Sequence, residues 1–255
     1  MKKLILLSIA LIVSGFLSAQ GIVTDRPDQS ESPVLVGKKK FQIETGFLYE
    51  KDENDFMKRK STTYNSTLLR YGLLKNFELR FGFDYRNDNI DNKINKSEII
   101  NTGWAPLKVG AKIGISKEDG LIPALGLVGG LTIPKTGHGD YQRDFWAPMF
   151  RLAGSYTISE TFGFGFNFGS EWDGVDPNAI GIYSAVLGAS FGKLGLFAEV
   201  YGYLPQNKMP LHMADGGLTF KVRDNFQLDF SGGFGISEIA PDYFASFGFS
   251  WRLPH

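Results

Sequence analysis

From Phe41 onward, apolar and polar positions alternate with a period of two, as expected of strands whose two faces meet different surroundings. Phe41, Ile43, Thr45, Phe47 and Tyr49 alternate with Gln42, Glu44, Gly46, Leu48 and Glu50. The contrast is sharper where Phe77, Leu79, Phe81, Phe83 and Tyr85 alternate with Glu78, Arg80, Gly82, Asp84 and Arg86. It recurs over 108–115, 150–158, 162–168 and 226–231. A strand charged at almost every second position keeps one face wet while the other lies in an apolar medium.

The connections alternate in length. Short turns are expected near 74–76, 117–120, 159–161, 192–195 and 223–225, and longer polar or Gly/Pro-bearing loops near 52–61, 87–103, 134–146, 172–178, 205–214 and 237–242. That count predicts an all-β fold, a single antiparallel transmembrane barrel of about twelve strands with short periplasmic turns and longer extracellular loops. Strands of about 9 to 13 residues suit a tilted crossing of the hydrocarbon. Tyr49, Tyr71, Tyr85, Trp104, Trp146, Trp172, Tyr201, Tyr203 and Trp251 fall near strand ends and are read as interfacial girdles. A secreted two-sheet sandwich also alternates, but charged strand faces and unequal loops favour the barrel.

The first residues follow a different pattern. Lys2 and Lys3 precede a mostly apolar stretch from Leu4 to Leu17, with Ala19 as the small residue at a cleavage site. Residues 1–19 therefore read as a cleaved signal peptide and Gln20 as the mature start. Residues 20–38, rich in charge and proline, cannot form a ladder and are assigned to a periplasmic arm or a lumen plug, with a disordered linker as the alternative. Residues 39–255 form the barrel. No later apolar run is long enough for a helical span.

Composition removes several chemistries. With 27 acidic and 27 basic side chains the chain offers no electrostatic case for nucleic acid, and with no Cys it has no disulfide, thiolate metal site or lipoprotein anchor. Gly (31) and Phe (22) are abundant, as close-packed strands require. His138 beside Asp140, His212 in a predicted loop and terminal His255 make no zinc pair, and no serine sits in a nucleophile elbow. No catalytic group, metal or cofactor is expected.

In a barrel the even-phase charges face the lumen. On the first strands these are Glu44, Arg70, Glu78, Arg80, Asp84 and Arg86; farther along they are Lys108, Lys112, Arg151, Glu199, Lys221 and Asp229. The mixed signs leave two readings open: a narrow lumen crossed by ion pairs that binds a solute, or charges that satisfy one another in a closed barrel. Asp25, Arg26, Asp28 and Glu31 of the arm have the charge to fold back and pair with the wall.

Thr24-Asp25-Arg26-Pro27-Asp28-Gln29-Ser30-Glu31-Ser32-Pro33 with Phe41-Gln42-Ile43-Glu44-Thr45-Gly46-Phe47 resembles the opening of the outer-membrane transporters grouped under the meta-pathway of phenol degradation. Leu68-Leu69-Arg70-Tyr71-Gly72-Leu73, Asn76-Phe77-Glu78-Leu79-Arg80 and Gly110-Ala111-Lys112 resemble later strands of that family. The resemblance implies a barrel that passes small hydrophobic or aromatic solutes across the outer membrane; a plugged structural or adhesive barrel is the alternative. The final segment, Tyr243 to Leu253, resembles the signal read by the outer-membrane barrel assembly machinery. The expected partners are therefore outer-membrane lipid, that machinery and an unnamed small solute.

Overall fold

The computed structural model describes residues 21–253; the expected signal peptide, Gln20 and His255 lie outside them. Among the described residues are thirteen strands and one 3-10 turn, Gly139–Tyr141. The strands are β1 (Phe41–Glu53), β2 (Met57–Leu74), β3 (Phe77–Asn92), β4 (Ser97–Trp104), β5 (Lys108–Ser116), β6 (Ala124–Thr132) and β7 (Ala147–Thr157). They continue as β8 (Phe162–Glu171), β9 (Ile180–Phe191), β10 (Leu194–Pro205), β11 (Leu211–Arg223), β12 (Phe226–Gly235) and β13 (Tyr243–Arg252).

Pairing runs β1-β2-β3-β5 and on in sequence order to β13, which pairs back onto β1 from Gln42↔Arg252 to Lys51↔Tyr243. Every ladder is antiparallel and the ring of twelve is closed. Closure leaves no strand edge within the hydrocarbon, where each unpaired amide would cost several kcal/mol. The thirteenth strand, β4, pairs with the outer half of β3 (Tyr85–Asn92), while β5 pairs with its inner half (Phe77–Gly82). The chain descends through β4 and then through β5, which makes the crossing of the ring, with a break at Ala105-Pro106-Leu107, where proline cannot donate to a ladder.

The alternation places apolar side chains outside and polar ones inside, the inverse of a water-soluble core. Phe247 is 57% exposed and Phe168, Leu187, Val200, Leu218 and Phe230 project with it, whereas Arg70, Lys112, Glu44 and Glu78 are 0% exposed. Tyr49, Tyr64, Tyr85, Trp104 and Tyr243 form ring contacts at one height on the β13-β1-β2-β3-β4 face, where an upper girdle belongs. Tyr201 and Tyr203 correct the girdle assignment: they share the phase of Glu199 and point inward. Tyr201 is buried with Met213, Ala240 and Phe244, and Leu48, Tyr203 and Leu211 pack on that cluster.

Two of the expected loops are strand. Residues 52–61 and most of 87–103 continue β1, β2, β3 and β4 in register, joined by tight turns at 54–56 and 93–96. At about 3.3 Å per residue and a tilt of about 40°, the 18 residues of β2 rise roughly 45 Å, against an apolar band of about 25 Å. A four-stranded fin therefore stands outside the membrane. The sequence there is polar on both faces, which reads as loop although the ladder continues through it. The connection at 117–123 is longer than expected and carries an isolated bridge, Asp119↔Ile122.

Candidate functional site

The arm, residues 21–40, lies inside the ring. Ile22 donates its N–H to Asp224 O at the β11–β12 turn. The chain then crosses the lumen and returns at Val36, whose N–H donates to Glu78 Oε2 at 2.9 Å. Gly72 lets the returning backbone approach β2: Lys39 N–H donates to Gly72 O and Gly72 N–H to Lys40 O, and a Cβ at 72 would collide with Gly37 O.

On the β1-β2-β3-β5 wall, three cations converge on one arm carboxylate. Asp25 receives Lys112 Nζ at 2.8 Å, Arg80 Nη1 at 2.7 Å and Arg70 Nη1 at 3.0 Å. Arg70 also donates to Glu78 Oε1 and Oε2 (2.7 and 3.0 Å) and to Glu44 Oε1 (2.7 Å), so it ties β1, β2 and β3 together. Glu31 pairs with Arg80 (2.8 Å) and Lys112 (3.3 Å), and its backbone exchanges hydrogen bonds with Asn167 of β8. Burial alone would raise the Asp25 carboxyl, but Arg70, Lys112 and Arg80 outweigh it and hold it well below the usual carboxylate range.

The opposite wall differs. In a ring of twelve, β10 lies directly across from β3, and β11 across from β5. Glu199 on β10 accepts from Gln29 N–H (2.7 Å) and Ser30 Oγ (2.6 Å) and stands directly beside Asp215 of β11 in the ladder. Neither oxygen of Asp215 on β11 has a hydrogen-bond donor. Asp229 on β12 meets Arg26 Nη2 at 3.0 Å, and that guanidinium also donates to Ser246 Oγ. Burial pushes the Asp28 carboxyl well above its ordinary value, and Glu199 adds to the shift.

The remaining lumen residues take lesser parts. Asp84 accepts from Ser66 and pairs with Lys108 (3.2 Å); Arg86 stacks over Tyr141 and lies 3.7 Å from Asp88. Arg151 donates to Gln29 O and lies 3.6 Å from Glu171. Lys221 lines the periplasmic side near Thr219. His212 sits on β11 rather than in a loop, its Nδ1 2.8 Å from Tyr183 Oη; His138 precedes the 3-10 turn without a side-chain cap. No cluster of metal ligands occurs among the described residues. Sequence reasoning missed Ser30 on the arm and the wall residues Ser184, Asn167 and Ser246 that face it; the inward phase of the three wall residues was the available signal.

The arm separates two cavities. One, of about 430 Å³, opens toward the short turns beside β7–β11 and is widened by Gly163, Gly165 and Gly188. The other, of about 530 Å³, lies beneath the external loops and is lined by Arg80, Arg86, Arg143 and Arg151. Asp28 and Glu31 border both.

A family profile described as "Putative MetA-pathway of phenol degradation" matches residues 24–253, which include most of the arm and every strand. The chain belongs to this family. Its fold is similar to that of the COG4313 outer membrane channel from Pseudomonas putida F1 (13% identity, 91% of this chain and 100% of that one, TM-score 0.66). It is also similar to the translocator domain of the autotransporter NalP from Neisseria meningitidis (12%, 85% and 89%, 0.57) and to the NanC porin (9%, 84% and 100%, 0.51). No curated protein matches the sequence. Family and fold together identify an outer-membrane β-barrel, its apolar face turned outward to lipid.

Proposed function

We propose that this barrel passes small organic solutes across the outer membrane and that residues 21–36 act as its plug. The observation that carries the reading is the arm itself, which spans the bore and stands between one cavity open to each side. Ion pairs and hydrogen bonds from the arm to β1, β2, β3, β5, β8, β10 and β12 support a fixed plug, and a bore of this strand number is wide enough to need one. The family description adds aromatic compounds as the first solutes to try. In this reading residues 1–19 are removed on export, the assembly machinery recognises β13, the inward charges line the path and no catalytic step occurs. Planar-bilayer recording tests it. The full chain should show low conductance and the barrel lacking residues 21–36 a much larger one; equal conductance would leave a structural barrel.

A further inference from the structure

The wall formed by Arg70, Arg80 and Lys112 is a carboxylate receptor already filled by the protein's own carboxylate. Three cationic side chains from adjacent strands β2, β3 and β5 meet at Asp25 within 3.0 Å. Arg70 and Lys112 are fully buried and the Asp25 side chain is 3% exposed. Without the arm these three cations face two wall carboxylates, Glu44 and Glu78, leaving one positive charge in excess. Asp25 neutralises it, and Glu31 adds a second carboxylate at the rim on Arg80 and Lys112.

The far wall offers no such receptor. Glu199 lies across the ring from Arg80, and Asp215 from Lys112, neither paired with a cation among the described ion pairs. An anion entering the lumen is drawn to the cations of β2–β5 that seat Asp25 and finds no cation at Glu199 and Asp215.

We infer that the solute is a small organic molecule bearing a carboxylate, and that it competes with Asp25 for Arg70, Arg80 and Lys112, so that binding the solute releases the arm. The inference rests on the plugged-channel reading and names its solute class. A carboxylate forms the same charge-assisted hydrogen bonds that Asp25 does, whereas an uncharged molecule of the same shape leaves the receptor to the arm.

The test uses the full chain, which has no native cysteine. Gln29→Cys places a thiol on the arm at a residue that meets the wall through its backbone. Its rate of modification by a membrane-impermeant maleimide reports arm release whether or not the channel conducts. Benzoate should speed labelling about tenfold over benzyl alcohol at equal ionic strength, and Arg80→Gln should abolish the difference. Asp25→Asn should speed labelling without either probe. If benzoate and benzyl alcohol act alike on Gln29→Cys, the receptor assignment is wrong, even for a conducting channel. If benzoate accelerates labelling while no variant conducts, the receptor stands and the transport reading falls.

Discussion

Arg70→Met is the most demanding test of the lumen network. The guanidinium is 0% exposed and satisfies Glu78, Glu44, Asp25 and Val34 O, the last at 3.1 Å. A methionine of similar length removes the charge, takes from Glu44 its ion pair and leaves Asp25 and Glu78 to share Arg80 and Lys112 in a confined lumen. Removing one partner of a buried ion pair costs about 3–5 kcal/mol. For a chain of this size each kcal/mol lowers the melting temperature by about 2–4 °C, so a fall of about 6–20 °C is expected. The assay is the temperature at which the compact, fast-migrating band disappears on electrophoresis of unboiled samples. Arg59→Met serves as the control: its guanidinium lies on the fin, 3.7 Å from Asp88 and 35% exposed, and should shift the band by only about 0–4 °C. Adding Glu44→Gln and Glu78→Gln to Arg70→Met should recover most of the loss, because neutral amides need no counter-ion. A drop no larger than that of Arg59→Met would refute the claim that Arg70 ties the wall together.

Three further outcomes follow from the same geometry. Arg26→Gln should loosen the arm, because it removes the 3.0 Å ion pair to Asp229 that fastens the arm to β12; single-channel conductance should then rise. Asp28→Asn should hold the arm more firmly at neutral pH, read as slower maleimide labelling. A carboxyl raised by folding costs stability only above its unfolded value of 3.8, so this advantage should vanish below that pH; an advantage that grows with acid would contradict the sign. Phe247→Arg puts a charge on the lipid face of β13 and should cost about 2–4 kcal/mol, seen as a lower yield of the heat-modifiable band. Normal yield would contradict placing that face in lipid.

Much of this was legible in the sequence because one period governs a barrel wall. Wherever polar and apolar residues alternate over a transmembrane length, as from Phe77 to Arg86, inside and outside follow at once. The same rule failed where its premise failed. In the fin both faces meet water, so Lys58–Lys60 and Asn87–Asn92 show no contrast and resemble loop. Tyr201 and Tyr203 were misassigned because aromatic identity was given more weight than their phase with Glu199. The arm showed which charges could pair with the wall. It did not show that Asp25 would meet three cations at once, since that depends on β2, β3 and β5 being neighbours and on β4 leaving the ring. Nor does a linear sequence show that Glu199 and Asp215 would stand side by side, since that depends on the register of β10 with β11.

The break between β4 and β5 separates two design problems that most barrels must solve together. The strand number and stagger that set the bore depend on β5, because β5 and not β4 pairs with β6. The height of the fin depends on the β1–β2 hairpin and on β3 with β4. Residues can therefore be added or removed at the tip around Lys93–Lys96 without changing the circumference of the pore. The surface presented to the surroundings can diversify while the passage beneath keeps its shape.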